Sequence, residues 1–215
     1  MFEEHKTTHD PGLTSEGITQ CLELREHLKI YLNRRNVNRI IVSPMRRAME
    51  TALHAMDWLI KDEGVPIEAS ALWQVEEIKV DKSFHCIDFS KIDPTWPDKT
   101  SPEPELYHYS RQSILQWGQK AVEDLYDRDE GLLIVVSHNG FLRTGVIGRW
   151  TANADYRLYS LERDESGVRC KLIEEEGMEA AWSFVVWQPA LSGQESDHQL
   201  GMVRASSLDI LFPHV

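Results

Sequence analysis

The sequence LLIVVSHNGFLR, from Leu132 to Arg143, constrains the fold of this chain more than any other feature. Its first half is apolar at every position, which is typical of a strand buried on both faces of a sheet. The run ends abruptly at Ser137-His138-Asn139-Gly140, and the residues that follow indicate the start of a helix. Because backbone N–H groups and the helix dipole favour negative charge at such a junction, the segment predicts an anion site that contains His138. A simple turn role for His138 is the alternative that these residues leave open.

Strands and helices alternate along the rest of the chain. The predicted strands are 39–43, 67–72, 132–136, 156–163 and 168–173, and the predicted helices are 14–32, 48–59, 109–126 and 141–150. The last two strands are joined by the turn sequence Asp164-Glu165-Ser166-Gly167, which is typical of a hairpin. This pattern predicts an α/β fold in three layers, α/β/α, with a mostly parallel sheet and an antiparallel hairpin at its edge.

Two polar segments follow strands of this predicted sheet. Ser43-Pro44-Met45-Arg46-Arg47 comes after one strand and Ser137-His138-Asn139-Gly140 after another, and ligands bind beyond the carboxyl ends of the strands in such sheets. Guanidinium groups make bidentate contacts to oxyanions, and an imidazole can donate a further hydrogen bond. We therefore predict a pocket for a small phosphorylated ligand formed by Arg46, Arg47 and His138.

Composition narrows the class of partner. The formal net charge is -12 and no basic stripe is present, which argues against a nucleic-acid partner. We find no apolar run of membrane-spanning length and no signal-peptide pattern, so no membrane partner is expected. Three scattered cysteines indicate a reducing, cytoplasmic location. His5 and His9 have a spacing that suits a metal only within a helix, which Pro11 disfavours, and no metal or other cofactor is expected. The oligomeric state is left open.

The length of 215 residues suits one domain. We place it at residues 1–175, with residues 75–108 as a lid or substrate loop because prolines cluster there and no regular period is visible. Residues 176–215 are predicted to form an irregular C-terminal tail, although Trp182–Trp187 is locally apolar.

Three segments match one family pattern in order. Asp10–Gly17, DPGLTSEG, resembles the D-P-x-L-T-x-x-G element of the histidine phosphatase superfamily, the phosphoglycerate-mutase-like proteins. Ser43–Ala52, SPMRRAMETA, is similar to its S-P-L-x-R-A-x-x-T-A element, and Ser137–Gly140 resembles its S-H-G-G element. The segments 93–102 and 153–157 also resemble a branch of uncharacterised fungal members. The resemblance spans residues 10–163 and implies a phosphatase, or less readily a phosphomutase, that needs no cofactor.

The resemblance also implies roles for individual residues. In that family a histidine of an Arg-His-Gly motif on the first, central strand attacks phosphorus and becomes phosphohistidine. Arg47 corresponds to the second phosphate-binding arginine, with Arg46 as a neighbouring alternative, and His138 corresponds to the second histidine. The backbone N–H of Asn139 is expected beside the phosphoryl group. Together these groups are expected to position the phosphoryl group and to stabilise its charge.

The chain departs from the family pattern at two places. No Arg-His pair and no apolar strand precede Asp10, so we expect the first central strand to be missing, the sheet to contain a gap, and the sequence to be truncated. Gln74 stands where the family has its general acid, and a glutamine has no titratable proton to give. Glu76 is the candidate acid in its place, Glu77 is an alternative, and a solvated loop carboxylate is the other interpretation. An inactive family member that serves as an anion-binding or regulatory module is the alternative to an enzyme.

Overall fold

The computed structural model describes residues 10–32, 36–73, 80–92, 110–149, 156–164, 169–174 and 185–189. Its helices are α1 (Ser15–Leu32), α2 (Arg46–Ala55), α3 (Asp57–Lys61), α4 (Arg111–Tyr126) and α5 (Asn139–Phe141), the last of which continues into a π-helical turn, Leu142–Val146. Its strands are β1 (Arg39–Val42), β2 (Ile67–Ala69), β3 (Ile87–Asp88), β4 (Leu133–Val136), β5 (Arg157–Arg163), β6 (Cys170–Glu174) and β7 (Val185–Pro189).

One sheet contains these strands in the order β3-β2-β1-β4-β7-β5-β6. The first four strands are mutually parallel, and β1 pairs with β4 in a register that places Val42 opposite Val136. At the other edge, β5 and β6 form an antiparallel hairpin. The predicted α/β fold, with a mostly parallel sheet and an antiparallel edge hairpin, is therefore confirmed.

Helices cover both faces of the sheet. Successive side chains of a strand point to opposite faces, so a fully apolar strand must be covered on both sides. In β4, Ile134 and Val136 pack in the core formed with α1, α2 and α3, whereas Leu133 and Val135 pack in the core formed with α4. All four side chains are buried, which explains why the β4 sequence is apolar at every position.

Strand β7 differs from what we expected of the C-terminal region. Residues 176–215 are predicted to be irregular, yet Val185–Pro189 forms a strand that pairs with β4 on one side and with β5 on the other. Pairing of this kind satisfies the N–H and C=O groups that an open strand edge would leave exposed. The gap expected in the sheet is therefore not seen beside β4. Residues 1–9 and the remainder of 176–215 lie outside the described residues, and the predictions made for them stay predictions.

Part of the predicted lid is described. Residues 80–92 contain β3, which extends the parallel sheet beyond β2, so this stretch is more regular than expected. The hairpin turn at 165–168 and residues 74–79 and 93–109 lie outside the described residues.

The helix α4 crosses the π-helical turn with the two backbones in contact. A Cβ atom added to Gly118 would lie far inside van der Waals contact of the Gly145 carbonyl, and one added to Gly145 would lie 2.7 Å from the Ile114 carbonyl oxygen. Only residues without a side chain permit this close approach. The π-helical turn is also bonded to the strand end, because Leu142 N–H donates to the His138 carbonyl oxygen at 2.8 Å.

Candidate functional site

The carboxyl ends of β1 and β4 lie side by side. Because the strands are parallel and in register, the residues that follow them, Ser43 and Ser137, emerge at the same edge of the sheet. Ser43 N–H continues the pairing by donating to the Val136 carbonyl oxygen at 2.9 Å. The sheet thus brings the SPMRR and SHNG segments together, as the alternation of strands and helices predicts.

His138 contacts one residue at each ring nitrogen. Its Nε2 lies 2.8 Å from Ser43 Oγ, and Arg47 Nε donates to its Nδ1 at 3.3 Å. Arg47 also donates from Nη2 to the sulfur of Met45 at 3.3 Å. Ser43 is fully buried, whereas Arg47 and His138 are partly buried. The imidazole therefore lies between a buried hydroxyl and a guanidinium.

The surroundings of His138 favour the neutral imidazole. Burial and the nearby positive charge of Arg47 lower the pKa of His138 from 6.5 to about 3. An arginine Nε carries a hydrogen and no lone pair, so Nδ1 of His138 must be the acceptor in that contact. The ring hydrogen is therefore on Nε2 and points towards Ser43 Oγ.

The DPGLT segment is bonded to α2. Both carboxylate oxygens of Asp10 accept from the backbone N–H of Arg46, at 3.0 and 3.1 Å, and so cap the first turn of the helix. The Glu50 carboxylate accepts from Leu13 N–H at 2.6 Å and from Arg46 Nε at 2.8 Å. At Gly12 an added Cβ would lie 2.7 Å from Glu50 Oε2, so a larger residue there would have to displace the Glu50 carboxylate. These contacts explain in physical terms why the DPGLT and SPMRRAMETA segments occur together.

A cavity of about 480 Å³ opens beside His138. Its walls come from residues 12–21, from the first turns of α2, and from Val136–Asn139. Three predicted site residues, Arg47, His138 and Asn139, line it. Arg46 is not among the described residues that line the cavity, since its side chain turns to Glu50. Cys21 lines the cavity as a buried thiol, and burial raises its pKa above the ordinary value.

A turn after β2 ends close to the site. Ser137 Oγ donates to the Trp73 carbonyl oxygen at 2.7 Å, and the fully buried Trp73 ring meets Phe141 edge-on at a centroid distance of 6.2 Å. Trp73, the last residue of this turn, is therefore hydrogen-bonded to Ser137, which directly precedes His138. The candidate acid Glu76 and its alternative Glu77 lie outside the described residues.

Sequence reasoning missed two residues of the site. The sequence indicates for Ser43 only the end of a strand, and for Glu50 only membership of a matching motif. A serine at the carboxyl end of a parallel strand, across from a histidine on the neighbouring strand, was the signal available for the first. Nothing in the spacing of the sequence marked Glu50 as a partner of Leu13.

The described residues contain neither a cluster of metal ligands nor a membrane-spanning helix. Within the parts of the chain that the structure describes, we find no group of three or more His, Cys, Asp or Glu side chains placed to hold a metal ion. None of the helices described is both long enough and apolar enough to span a bilayer.

Comparison with known proteins identifies the family. The family model for the histidine phosphatase superfamily (branch 1) matches residues 3–179. A protein named as a probable phosphatase in Schizosaccharomyces pombe is 27% identical over an alignment of 147 residues that covers 63% of this chain. The chain spans 65% of the length of that curated relative. No solved structure matches the chain. The family match covers most of the chain and includes all three motifs that meet at the cavity, and the chain therefore belongs to the histidine phosphatase superfamily.

Proposed function

We propose that this protein hydrolyses phosphoric monoesters of small molecules. The single observation that carries the proposal is the pair formed by Arg47 and His138, which touch each other and line one cavity at the carboxyl ends of β1 and β4. A guanidinium and an imidazole at the ligand edge of a parallel sheet suit a phosphoryl group.

Arg47 would hold the phosphoryl oxygens through its forked N–H donors. Its helix is fixed at the start by Asp10, and Thr51 Oγ1 donates to the Arg47 carbonyl oxygen at 2.7 Å. His138 would hydrogen-bond a further oxygen, and the backbone of Asn139 would lie next to it. Donors carried on a helix and a strand end that are in place before the substrate arrives stabilise the charge of the transition state with little movement of the backbone.

The proton for the leaving group would come from Glu76, with Glu77 as the alternative. The assignment is supported by the sequence position of Glu76, three residues after Trp73, whose carbonyl oxygen accepts from Ser137 Oγ beside the site. In the intact family the attacking group is the histidine of an Arg-His-Gly motif. Residues 1–215 contain no Arg-His pair, so the residues described here would supply the part of the site that binds the phosphoryl group.

An anion-binding module without catalytic activity is the second candidate. Two sequence features favour it: Gln74 at the position of the usual acid, and the absence of an Arg-His pair from residues 1–215. The same Arg47 and His138 pocket serves both functions.

We also propose a cytoplasmic location. It is supported by three cysteines that form no disulfide bond, Cys21, Cys86 and Cys170.

Hydrolysis of a generic aryl phosphate between pH 5 and 7.5 tests the proposal. An active protein should lose about a hundredfold or more of its rate in Arg47→Ala and in His138→Ala, because each removes a side chain that hydrogen-bonds the phosphoryl oxygens. His27→Ala and Arg169→Ala are matched controls, since both side chains are exposed and lie outside the lining of the cavity.

The parent chain and these variants also distinguish the phosphatase from the anion-binding module. Phosphate binding that depends on Arg47 and His138, without any turnover, would favour the binding module. A chain that neither binds phosphate nor hydrolyses the ester would contradict both functions.

A further inference from the structure

The contacts of His138 carry an inference about what this pocket selects, and it rests on the proposed function. We infer that the site binds a phosphoryl group together with one proton, which is shared between a phosphoryl oxygen and Nδ1 of His138. The pocket therefore selects phosphate and its monoesters over sulfate and over phosphodiesters.

The argument starts from the unliganded ring. Arg47 Nε can only donate, so Nδ1 of His138 accepts, and the one ring hydrogen lies on Nε2 at 2.8 Å from Ser43 Oγ. Ser43 is fully buried, so the Nε2 side of the ring faces the protein interior. The ring atom available to a ligand in the cavity is therefore Nδ1, which offers a lone pair and not a hydrogen.

A phosphoryl oxygen that approaches Nδ1 also offers lone pairs. One hydrogen must lie between the two atoms for them to bond, and it has two possible origins. A monoanionic ligand brings it as a P–OH group, or the imidazole becomes imidazolium and meets the dianion. The number of protons in the complex is the same in both cases, so the binding of a dianion must take up one proton from solution.

Arg47 changes partner in the same event. A hydrogen on Nδ1 is incompatible with donation from Arg47 Nε to that atom, so the ligand displaces this contact. The guanidinium carries further N–H groups and can then bind the other phosphoryl oxygens. Its positive charge, which disfavours a protonated His138 in the empty site, is offset by the negative charge of the ligand.

Other groups around the ring do not account for the proton. The cavity also contains Glu16 and Cys21 of α1. Burial raises the pKa of Cys21, so it remains a thiol at neutral pH. Glu16 is an exposed side chain that a variant can replace, and Arg143 on the π-helical turn carries an exposed guanidinium. The Arg46 and Glu50 pair lies along α2 with its own hydrogen bond.

Sulfate is the informative competitor of inorganic phosphate. The two anions have the same shape, but sulfate carries no proton near neutral pH, and a phosphodiester likewise has no P–OH group. With either of them only the imidazole could carry the hydrogen, and burial together with the charge of Arg47 lowers the pKa of His138 to about 3 in the empty site, so the hydrogen bond at Nδ1 is more costly to form. We expect sulfate to bind at least about tenfold more weakly than phosphate, the discrimination of one lost hydrogen bond to a charged group.

Calorimetry with inorganic phosphate tests the inference on residues 1–215. Titrations at pH 8 in two buffers of different ionisation enthalpy should show the uptake of about one proton per phosphate bound, and the dissociation constant should rise up to about tenfold per pH unit above that pH. Glu16→Gln should keep the proton uptake, whereas His138→Asn should abolish it together with the preference over sulfate. Nitrogen NMR of the free protein should find the His138 hydrogen on Nε2.

The outcomes separate the two proposals. Phosphate that binds without proton uptake, or sulfate that binds as tightly as phosphate, would overturn this inference and leave the proposed function standing. A hydrogen found on Nδ1 of His138 in the ligand-free protein would also overturn the inference, and this NMR measurement does not depend on the folding of any variant. If residues 1–215 bind no phosphate at all, the proposed function fails and the inference falls with it.

Discussion

At the amino-terminal ends of β1 and β4, two arginines share three carboxylates, whereas at the carboxyl ends of the same strands an arginine lies against a neutral imidazole. We call the first group the carboxylate cluster; its members are Arg39, Glu68, Asp124, Arg128 and Glu130. Glu68 is its centre, with a side chain only 4% exposed, and it lies 2.8 Å from Arg128 Nη2 and 3.4 Å from Arg39 Nη1. Glu130 Oε1 lies 2.7 Å from Arg39 Nε, and Asp124 Oδ2 lies 2.9 Å from Arg128 Nη2.

We call the second group the imidazole cluster; its members are Ser43, Arg47 and His138.

The difference between the clusters lies in what each contact depends on. In the carboxylate cluster every contact joins a guanidinium to a carboxylate, and none of them involves a residue that lines the cavity. In the imidazole cluster the contact between Arg47 and His138 exists only while the ring is neutral. One end of the sheet can therefore hold the strands together while the other responds to what binds. The predictions below test this division of roles.

The largest effect is expected from Glu68→Gln. The substitution leaves the Arg39 and Arg128 charges without their buried partner, and we expect a loss of about 3 kcal/mol in the free energy of unfolding. Urea denaturation measures this, and phosphate affinity should not change while the protein is folded. Glu162→Gln is the control: it removes an exposed ion pair with Lys171 and should cost less than about 1 kcal/mol. A fall in affinity that matches the fall in stability would contradict the division.

The pH dependence of stability should separate the two clusters. The pKa of His138 is about 3 in the folded protein and near 6.5 when unfolded, so the unfolded chain binds the extra proton first as pH falls. The contribution of His138 to the free energy of unfolding therefore has its full value above pH 6.5. Below that pH the free energy of unfolding falls, by up to about 1.4 kcal/mol per pH unit. In the carboxylate cluster, burial raises the pKa of Glu130, but the hydrogen bond from Arg39, a backbone hydrogen bond and the charges of Arg39 and Arg128 together lower it below its ordinary value, so its contribution declines only below about pH 4.5.

Urea midpoints between pH 7 and 5 measure this decline, and His138→Gln should remove most of it. A wild-type curve that is flat over that range would show that the folded protein binds the His138 proton as readily as the unfolded chain does.

The smallest effect is expected from Arg46→Ala. Arg46 pairs with Glu50 one turn along α2, and its side chain is 50% exposed, so the loss in stability should be the smallest of the variants compared. The rate of aryl phosphate hydrolysis should fall by less than about threefold, compared with a hundredfold or more for Arg47→Ala. Equal losses in the two variants would mean that both arginines hold the ligand, as the sequence allowed.

Much of the frame could be predicted from the sequence. The apolar run before His138 and the alternation of strands and helices determine a parallel sheet, and they place the SPMRR and SHNG segments at one edge. The motif resemblance pointed to Arg47 and His138, and the structure places both at the cavity. These features depend on local pattern, which is why the sequence alone reveals them.

The contacts between distant segments could not be predicted in the same way. Residues 185–189 pair with β4 and β5, and only their local apolar character hinted at a strand. The choice between Arg46 and Arg47 depends on where Glu50 lies after folding, and sequence spacing does not report that. The neutral state of His138 likewise depends on burial and on a partner 91 positions away.

The contact between Gly118 and Gly145 has a consequence for how genetic data on this protein would be interpreted. Since backbone meets backbone there, any residue larger than glycine must push the π-helical turn away from α4, and that turn is bonded to the carbonyl of His138. A random mutagenesis screen for lost activity would therefore recover Gly118 variants together with variants of the cavity itself. Such a screen would make a helix crossing resemble part of the ligand site, although Gly118 is not among the described residues that line it.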